Sequence, residues 1–323
     1  MPYLNRSIGI ACCTAAFCAP QLSAAEPAVL RVEVLDTAIL EEPKVNGLKV
    51  AELSGLAYDR KNQRLFAVSD KGRIFEFALD LSDDRLAGLR PLHGRNLVDA
   101  EGAKMRDSGF NAEGMALADD GTIMIVSEAG PRISRFSLDG KWLEDLPVPA
   151  GLADPSGQRS EKDGLESLAL HQKFGLLTMP EEPLAAQPRT IHTVYSWKGD
   201  RFAFDTSDLG TTSIKAMEAL PDGRIAMIER DVSAADNSLI PWLRILDPGN
   251  CASDGICATE LARIEVPGIK DADYEGLAQI SDNLFLIVSD DKIASTHRSV
   301  FGLLRVTLPS TRHPAEAGQN KSP

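Results

Sequence analysis

The sequence predicts an all-β protein of the β-propeller class, and three observations lead to that prediction. A unit made of a short apolar strand, a turn and a second apolar strand occurs five times along the chain. Successive units are 49 to 60 residues apart, and further apolar strands follow in most of them. Several strands per repeat at this spacing are typical of propeller blades that pack radially around a channel.

The five units share Ile, Val, Leu and Phe in their strands and carry turn residues between them. They are ELSGLAYDRKNQRLFAVSD (52–70), NAEGMALADDGTIMIVSEAGPRISRFSLDG (111–140), LESLALHQKFGLLTMPEE (165–182), IKAMEALPDGRIAMIER (214–230) and YEGLAQISDNLFLIVSDD (274–291). Further strands are predicted at 72–79, 132–138, 193–197, 242–247 and 300–308. The pattern therefore predicts five blades, and the longer spacers leave room for a sixth, degenerate blade. A β-sandwich, which would not need this periodicity, is the alternative.

The ends of the chain read differently from the repeats. RVEVLDTAIL (31–40) has no repeat of its own, and we expect it to supply the outer strand of the last blade and so close the ring. Residues 1–25 have one positive charge, a short apolar run and small residues before Glu26, which predicts a cleaved signal peptide and a periplasmic or secreted protein without a membrane anchor. Residues 26–312 are expected to form a single domain, and residues 313–323 a disordered tail.

Charge and cysteine content limit the partners of this chain. Removing residues 1–25 takes away one Arg and no acid, which changes the formal net charge from −13 to −14. A surface this acidic argues against nucleic acid as a partner. Cleavage also leaves only Cys251 and Cys257, which in an oxidising compartment are expected to form a disulfide. The oligomeric state is not readable from the sequence.

The Asp120-Gly121 turn of the second unit determines which residues of its two strands face each other. Read as a two-residue type I′ turn, it places Glu113 directly opposite Glu128. The same reading places Lys215 opposite Arg230 and Glu275 opposite Asp290, and the separation of Glu166 from Glu181 matches. In the first unit Ser54 lies near Asp70.

These charges are predicted to form a ring at one mouth of the channel, since the start of the first strand and the end of the second lie at the same end. Facing carboxylates repel each other, so a bound cation, Lys215 with Arg230, or raised pKa values must offset them. A structural polar ring is one interpretation. The other is a site for a hard, oxygen-coordinated cation such as calcium. Zinc is not expected, because the histidines are scattered.

Taken together, these motifs resemble the phytase-like family described as "esterase-like activity of phytase". The resemblance covers 52–291 and rests on EGMAL, SEAGPRISRFSLDG (127–140), MPEEP (179–183), LPDGRIAMIER (220–230) and YEGLA with VSDD. It implies a secreted propeller that hydrolyses phosphate or carboxyl esters with the help of a metal. The matching positions are Glu113, Glu128, Arg132, Glu166, Glu181, Glu229, Arg230, Glu275 and Asp290. In the fourth unit Lys215 stands where an acid is expected.

The resulting hypothesis gives each group a role. Calcium would be held by five acids: Glu113, Glu128, Glu166, Glu275 and Asp290. Lys215, Arg230 and Arg132 would contact the phosphate or its leaving group, and Glu181 would accept a proton from the attacking water. A lactonase would use the same groups, whereas no GxSxG motif supports a serine hydrolase. The alternative function is a non-catalytic propeller that binds a ligand or a protein.

Overall fold

The computed structural model describes residues 29–41, 43–160, 162–290 and 298–309. The predicted signal peptide (1–25) and the predicted tail (313–323) lie outside these residues. Within the part of the chain that is described, no helix is long and apolar enough to cross a membrane.

Almost all regular structure in these residues is β-strand. The strands in chain order are β1 (Arg31–Leu40), β2 (Lys44–Val45), β3 (Leu48–Lys49), β4 (Leu53–Asp59), β5 (Arg64–Ser69), β6 (Arg73–Ser82), β7 (Arg85–Asn96), β8 (Ala112–Leu117), β9 (Ile123–Ser127), β10 (Arg132–Phe136), β11 (Trp142–Leu146), β12 (Leu165–His171), β13 (Gly175–Pro180), β14 (Ile191–Ser196), β15 (Arg201–Asp205), β16 (Ser213–Ala219), β17 (Ile225–Val232), β18 (Leu239–Cys251), β19 (Cys257–Arg263), β20 (Asp273–Gln279), β21 (Leu284–Asp290) and β22 (Ser299–Thr307). Two short 3₁₀ helices span Met105–Ser108 and Pro155–Gly157.

The strands form five four-stranded antiparallel blades, which confirms the predicted propeller. The first four blades are β4 to β7, β8 to β11, β12 to β15 and β16 to β19, each in chain order. The innermost strand of every blade is the first strand of a sequence repeat, and the innermost strands of neighbouring blades pack against each other around the channel. Besides the blades, β2 and β3 form a small ribbon. The described residues form no sixth blade.

The ring is closed by the N-terminal strand, as the sequence predicts. In the fifth blade the order is β20, β21, β22 and β1, and β1 pairs with β22 from Arg31 opposite Thr307 to Leu40 opposite Ser299. The last blade therefore combines the two ends of the described chain. This arrangement ties the first strand to the last and leaves no gap in the ring.

The hydrophobic core lies between the blades, where the apolar faces of adjacent sheets meet. Each of five clusters joins two neighbouring blades. Between the fifth and first blades, for example, Phe77 and Phe301 meet edge to face with ring centroids 5.9 Å apart. Because both faces of most strands are buried, the strands read as nearly continuous apolar runs.

The predicted disulfide is present. Cys251 and Cys257 are bonded and lie opposite each other at the end of the β18–β19 hairpin. The bond closes a short loop on the outer edge of the fourth blade, away from the innermost strand.

The turn geometry differs from the sequence-based prediction. The Gly121 N–H donates to the Ala118 carbonyl at 2.9 Å, and the Ala118 N–H donates to the Thr122 carbonyl at 2.9 Å. Gly121 alone in this turn has a positive φ, of 79°. The loop thus has three residues, in the type I turn plus left-handed residue that such loops commonly adopt. The turn at 221–223 repeats these hydrogen bonds, with Leu220 in the place of Ala118.

A second irregularity follows in each innermost strand. Its pairing with the next strand shifts by one residue at a β-bulge, between Leu53 and Gly55 in the first blade and at the equivalent place in the other four. The predicted direct pairs, namely Glu113 with Glu128, Glu166 with Glu181, Lys215 with Arg230 and Glu275 with Asp290, are therefore wrong. The longer turn and the bulge each shift the register of the two strands, so each of these residues lies opposite a different residue from the one predicted.

Candidate functional site

The bulges place one side chain from each blade at the same end of the channel. The unpaired residue of the bulge is Ser54, Glu113, Glu166, Lys215 or Glu275, one in each blade. A bulge commonly redirects a side chain near a functional site. All five residues are buried. The residues that the sequence repeat aligns are therefore equivalent in the structure, although they are not paired as predicted.

The ends of the second strands bring a further residue from each blade to this end. Asp290 lies opposite Asp273, and Arg230 lies opposite Ser213. The N–H of Glu128 donates to the Asn111 carbonyl at 3.0 Å, so these two residues face each other. In the same way Glu181 faces Gly164, and Asp70 faces Glu52. We call the residues at the bulges and at these strand ends the acidic mouth, because seven of the ten are Asp or Glu.

Glycines beside the bulges allow the innermost strands to approach closely. A Cβ atom on Gly114 would lie 2.7 Å from the backbone nitrogen of Leu168 on the next blade. A Cβ atom on Gly55 would lie 2.6 Å from the Glu113 carbonyl oxygen. The Glu-Gly and Ser-Gly pairs of the repeats thus meet two requirements. The first residue supplies a side chain at the mouth, and the glycine that follows has no side chain to obstruct the next strand.

Lys215 is the central cation of the acidic mouth. Its Nζ donates to Glu166 Oε1 and lies 3.1 Å from Glu275 Oε1 and 3.3 Å from Glu181 Oε1. The three acids come from the third and fifth blades, and the lysine side chain is buried. Burial would lower the pKa of Lys215, but the charges of Glu166, Glu275 and Glu181 outweigh burial and raise it well above its ordinary value. Lys215 is therefore positively charged in the folded protein.

Arg230 is the second cation, and it also bridges blades. Its guanidinium donates to Glu181 Oε1 at 2.6 Å and to Asp273 Oδ2 at 2.5 Å. Asp273 was not among the predicted site residues. The sequence signal was available, because Asp273 occupies the same place before its bulge as Asn111 and Glu52 do in their blades. Arg230 keeps part of its guanidinium exposed at the mouth.

Glu113 has a different environment from the acids around Lys215. It is buried and forms no ion pair within the described residues. Burial and the neighbouring charges of Glu166 and Glu275 raise its pKa well above the ordinary value, and Lys215 offsets this only in part. A nearby positive charge would therefore favour the ionised form of Glu113.

Three carboxylates meet closely enough to share a cation. One oxygen from each of Glu128, Glu166 and Glu181 lies within 4.8 Å of the other two. Glu128 is oriented by the Asn111 side chain, whose Nδ2 donates to Glu128 Oε2 at 2.6 Å. Of the predicted metal ligands, the structure thus groups Glu128 and Glu166, and it adds Glu181. Glu275 and Asp290 lie in the same mouth, where burial and the charges of Asp273 and Asp290 raise the pKa of Glu275.

Two other predicted or matching residues, Arg132 and Glu229, are not among the ten residues of the acidic mouth. The guanidinium of Arg132 is 4.8 Å from the centroid of the Phe110 ring, and it forms no ion pair with any described residue. Glu229 is completely buried and pairs with Arg244 on β18. Beside the acidic mouth, at the first blade, Lys71 is a further cation that was not among the predicted site residues. It contacts Asp70 at 3.1 Å and also binds Glu52.

The stability of the protein is expected to fall as the pH rises from about 5 to about 8. Burial, with the charges of Asp273 and Asp290, raises the pKa of Glu275 from 4.5 to about 7 in the folded state, despite the opposing charge of Lys215. Between these values the folded protein binds more protons than the unfolded chain, so raising the pH favours unfolding. We expect a loss of about 1 to 3 kcal/mol in the free energy of unfolding, measured by urea denaturation in chelator at constant ionic strength. Glu275→Gln should flatten the profile, and stability that rises over this range would contradict the assignment.

The fold and the site define the class of this protein: a five-bladed β-propeller with a buried, predominantly acidic mouth at one end of its channel. The family follows from sequence comparison. The chain belongs to the phytase-like family described as "Esterase-like activity of phytase", whose model matches residues 48–293. This confirms the resemblance seen in the repeats. Comparison with curated proteins gave no match.

Solved structures with a similar fold share little sequence with this chain. A streptogramin B lyase has a TM-score of 0.38 at 8% identity, with 86% of this chain and 98% of the other covered. The PQQ-bound aldose sugar dehydrogenase from Streptomyces coelicolor has a TM-score of 0.45 at 13% identity, with 87% and 99% covered. Virginiamycin B lyase from Staphylococcus aureus has a TM-score of 0.40 at 11% identity, with 86% and 100% covered. Nothing about the activity of this chain follows from them.

Proposed function

We propose that this protein is a secreted, calcium-assisted hydrolase of phosphate esters or carboxyl esters, with its site at the acidic mouth. The observation that carries the proposal is the convergence of Glu128, Glu166 and Glu181, each with an oxygen within 4.8 Å of the others. Membership in the phytase-like family supports ester hydrolysis as the reaction class.

The donor atoms at the mouth suit a hard cation. All three are carboxylate oxygens, which calcium prefers and zinc does not require. Glu128 is held in place by Asn111, an arrangement typical of groups that support metal ligands. Glu113, buried without an ion pair, would also gain from a nearby positive charge. When bound, calcium would supply Lewis acidity toward a phosphoryl or acyl oxygen.

The remaining side chains can bind the substrate and move a proton. Arg230 presents its partly exposed guanidinium at the mouth, and a guanidinium matches the geometry of a phosphate or carboxylate. Lys215 is buried against Glu166, Glu181 and Glu275, and its positive charge holds these carboxylates together beneath Arg230. Glu181, bound by both cations, is better placed to orient them than to accept a proton. We assign proton transfer to Glu275, whose raised pKa of about 7 suits a general base near neutral pH.

A second candidate function is a non-catalytic binding propeller with a structural polar ring. The observation that favours it is the position of Lys215, because this one ammonium group contacts three carboxylates. In that case Arg230 and Lys215 would neutralise the mouth internally, and ligands or proteins would bind the loops around it.

Calcium titration followed by thermal unfolding, combined with turnover assays, separates these functions. The hydrolase predicts a saturable rise in Tm with calcium, reversal by chelator, and turnover of a generic phosphomonoester or carboxyl ester. Glu166→Gln should weaken the calcium response by at least about tenfold. The matched control is Glu144→Gln, which removes an exposed acid outside the mouth. A calcium response without turnover of phosphate esters, carboxyl esters or lactones would favour the binding propeller, and no response at all would favour the structural ring.

A further inference from the structure

A cavity lies between the fourth and fifth blades, beside the acidic mouth. It has a volume of about 450 Å³, which is within the usual range of small-molecule sites. Its walls are the start of β18, the end of β19, the segment 264–272 that leads from β19 to β20, and Tyr274 on β20. The cavity is therefore built from the same two blades that the hydrogen bond from Arg230 to Asp273 joins.

Two walls of the cavity adjoin this ion pair. Pro241 lies directly opposite Arg230 in the pairing of β17 with β18, and residues in direct opposition share one face of a sheet. Tyr274 follows Asp273, which accepts a hydrogen bond from Arg230 at 2.5 Å. Arg230 also donates to Glu181 Oε1 of the acidic mouth at 2.6 Å. A ligand whose charged end is bound by Arg230 can therefore extend its other end into the cavity.

The floor of the cavity is apolar. Ile264 and Tyr274 are buried and belong to one hydrophobic cluster, and Val266 packs against that cluster. Ile240 and Pro241 add partly buried apolar surface. An aromatic or branched alkyl group that binds here loses contact with water, which is favourable. The floor therefore suits the apolar part of a ligand.

The rim of the cavity is charged, and its charges are of both signs. The exposed side chains at the rim are acidic in Asp236, Glu265 and Asp271 and basic in Arg263 and Lys270. Arg263 Nε lies 3.6 Å from Glu265 Oε1, so one of the two bases already has an acidic partner. A ligand with several phosphate groups would face three acids at this rim, whereas an uncharged apolar group meets no such repulsion.

We propose, on the basis of the hydrolase function above, that the substrates are esters with one anionic end and one apolar end. Arg230 binds the anionic end, and the cavity between the fourth and fifth blades binds an aromatic or branched alkyl group. Benzyl phosphate has this form. In its hydrolysis the oxygen of water bonds to phosphorus as the bond to the benzyl oxygen breaks, and the two hydrogens of water are divided between phosphate and the released alcohol. Multiply phosphorylated esters and small polar esters are poorer substrates, because they leave the apolar floor unused.

Binding of phosphonates, which are not hydrolysed, tests the cavity without requiring any activity. Benzylphosphonate and methylphosphonate carry the same anionic group and differ in the apolar one. Each is titrated into the full chain with calcium present, and binding is followed by calorimetry. We expect benzylphosphonate to bind at least about tenfold more tightly, because the cavity buries its ring. Turnover of benzyl phosphate and methyl phosphate, whose alcohols are similar leaving groups, is measured separately and should show the same preference in kcat/KM.

Variants then locate the apolar subsite. The double variant Ile240→Ala with Val266→Ala removes apolar wall and should reduce the preference for benzylphosphonate to about threefold or less, with the affinity for methylphosphonate unchanged. If the double variant does not fold, Ile240→Ala alone should reduce the preference at least about twofold. The matched control is Leu143→Ala, which shortens an exposed apolar side chain on β11 of the second blade and should leave the preference unchanged.

Equal binding of the two phosphonates by the wild type, no measurable binding of either, or an unchanged preference in the Ile240 variants would overturn the proposal. Failure of the hydrolase function gives a different result. A preference for benzylphosphonate without turnover of any ester would overturn the hydrolase and support the cavity as a site for an anion with an apolar group. Turnover of benzyl phosphate and methyl phosphate with equal kcat/KM would support the hydrolase and overturn the role of the cavity.

Discussion

Replacing Lys215 with methionine is expected to destabilise the protein by about 3 to 5 kcal/mol in the absence of calcium. The change removes the ammonium group that contacts Glu166, Glu181 and Glu275, and these acids are too deeply buried for water to replace it. Methionine has a similar length and apolar stem, so the loss reports the charge and not a cavity. The free energy of unfolding, measured by urea denaturation with chelator present, checks the prediction.

The Lys215→Met variant also tests whether the acidic mouth can bind calcium. If Glu128, Glu166 and Glu181 can hold a cation, adding calcium to Lys215→Met should restore much of the lost stability, because the ion takes over the neutralising role. The matched control is Lys71→Met, which removes a lysine that contacts Asp70 at the edge of the same mouth. That lysine is partly exposed, and its loss should cost about 1 kcal/mol or less. A Lys215→Met protein as stable as the wild type without calcium would contradict the central role of this cation.

The sequence predicts the propeller because the same strand pattern recurs in all five repeated units. The innermost strands begin at Leu53, Ala112, Leu165, Ser213 and Asp273, in step with the repeated units. Closure by β1 is also readable, because RVEVLDTAIL has strand character and no unit of its own. These features depend on pattern and spacing along the chain, which a single sequence records directly.

The register of the strands is not readable to the same degree. Asp-Gly is compatible with a two-residue loop and with a three-residue loop that ends in a left-handed glycine, and the two differ by one residue in every pair that follows. At 221–223 the Pro before Asp222-Gly223 was a usable clue, since Pro favours the first central position of a type I turn. The bulges leave no clear mark, apart from the glycine that follows the unpaired residue at Gly55, Gly114 and Gly276.

Contacts between blades explain why the ion pairs of the site could not be predicted from the sequence. Lys215 donates to Glu166, which is 49 residues away, and Arg230 donates to Asp273, which is 43 residues away. The sequence identifies Lys215, Glu166 and Arg230, but not Asp273, as members of one ring, and it proposes the lysine and arginine as the neutralising cations of that ring. It does not reveal which acid each cation binds, because that depends on how far each blade rotates about the channel and on where each bulge falls.

Replacing Arg244 with methionine is expected to cost about 3 to 5 kcal/mol for a different reason, because it breaks an ion pair within the blades. Arg244 Nε donates to Glu229 Oε2 at 2.5 Å, and its Nη2 donates to Asp208 Oδ1 at 2.9 Å. Glu229 also accepts a hydrogen bond from Thr212 Oγ1 at 2.5 Å. Both Arg244 and Glu229 are fully buried, so the variant leaves a carboxylate without its partner.

The contrast with Lys215→Met separates a structural ion pair from a cation site. Calcium should not restore the stability of Arg244→Met, because Glu229 is fully buried, is not a residue of the acidic mouth, and has Asp208 as its neighbouring acid. The double variant Arg244→Met with Glu229→Met removes both charges and should recover most of the loss. Arg135→Met, which breaks a surface pair with Asp120 and Glu144, is the control and should cost about 1 kcal/mol or less. Rescue of Arg244→Met by calcium would show that the response to the ion is not confined to the mouth, and would remove the support that the Lys215 experiment gives to a metal site there.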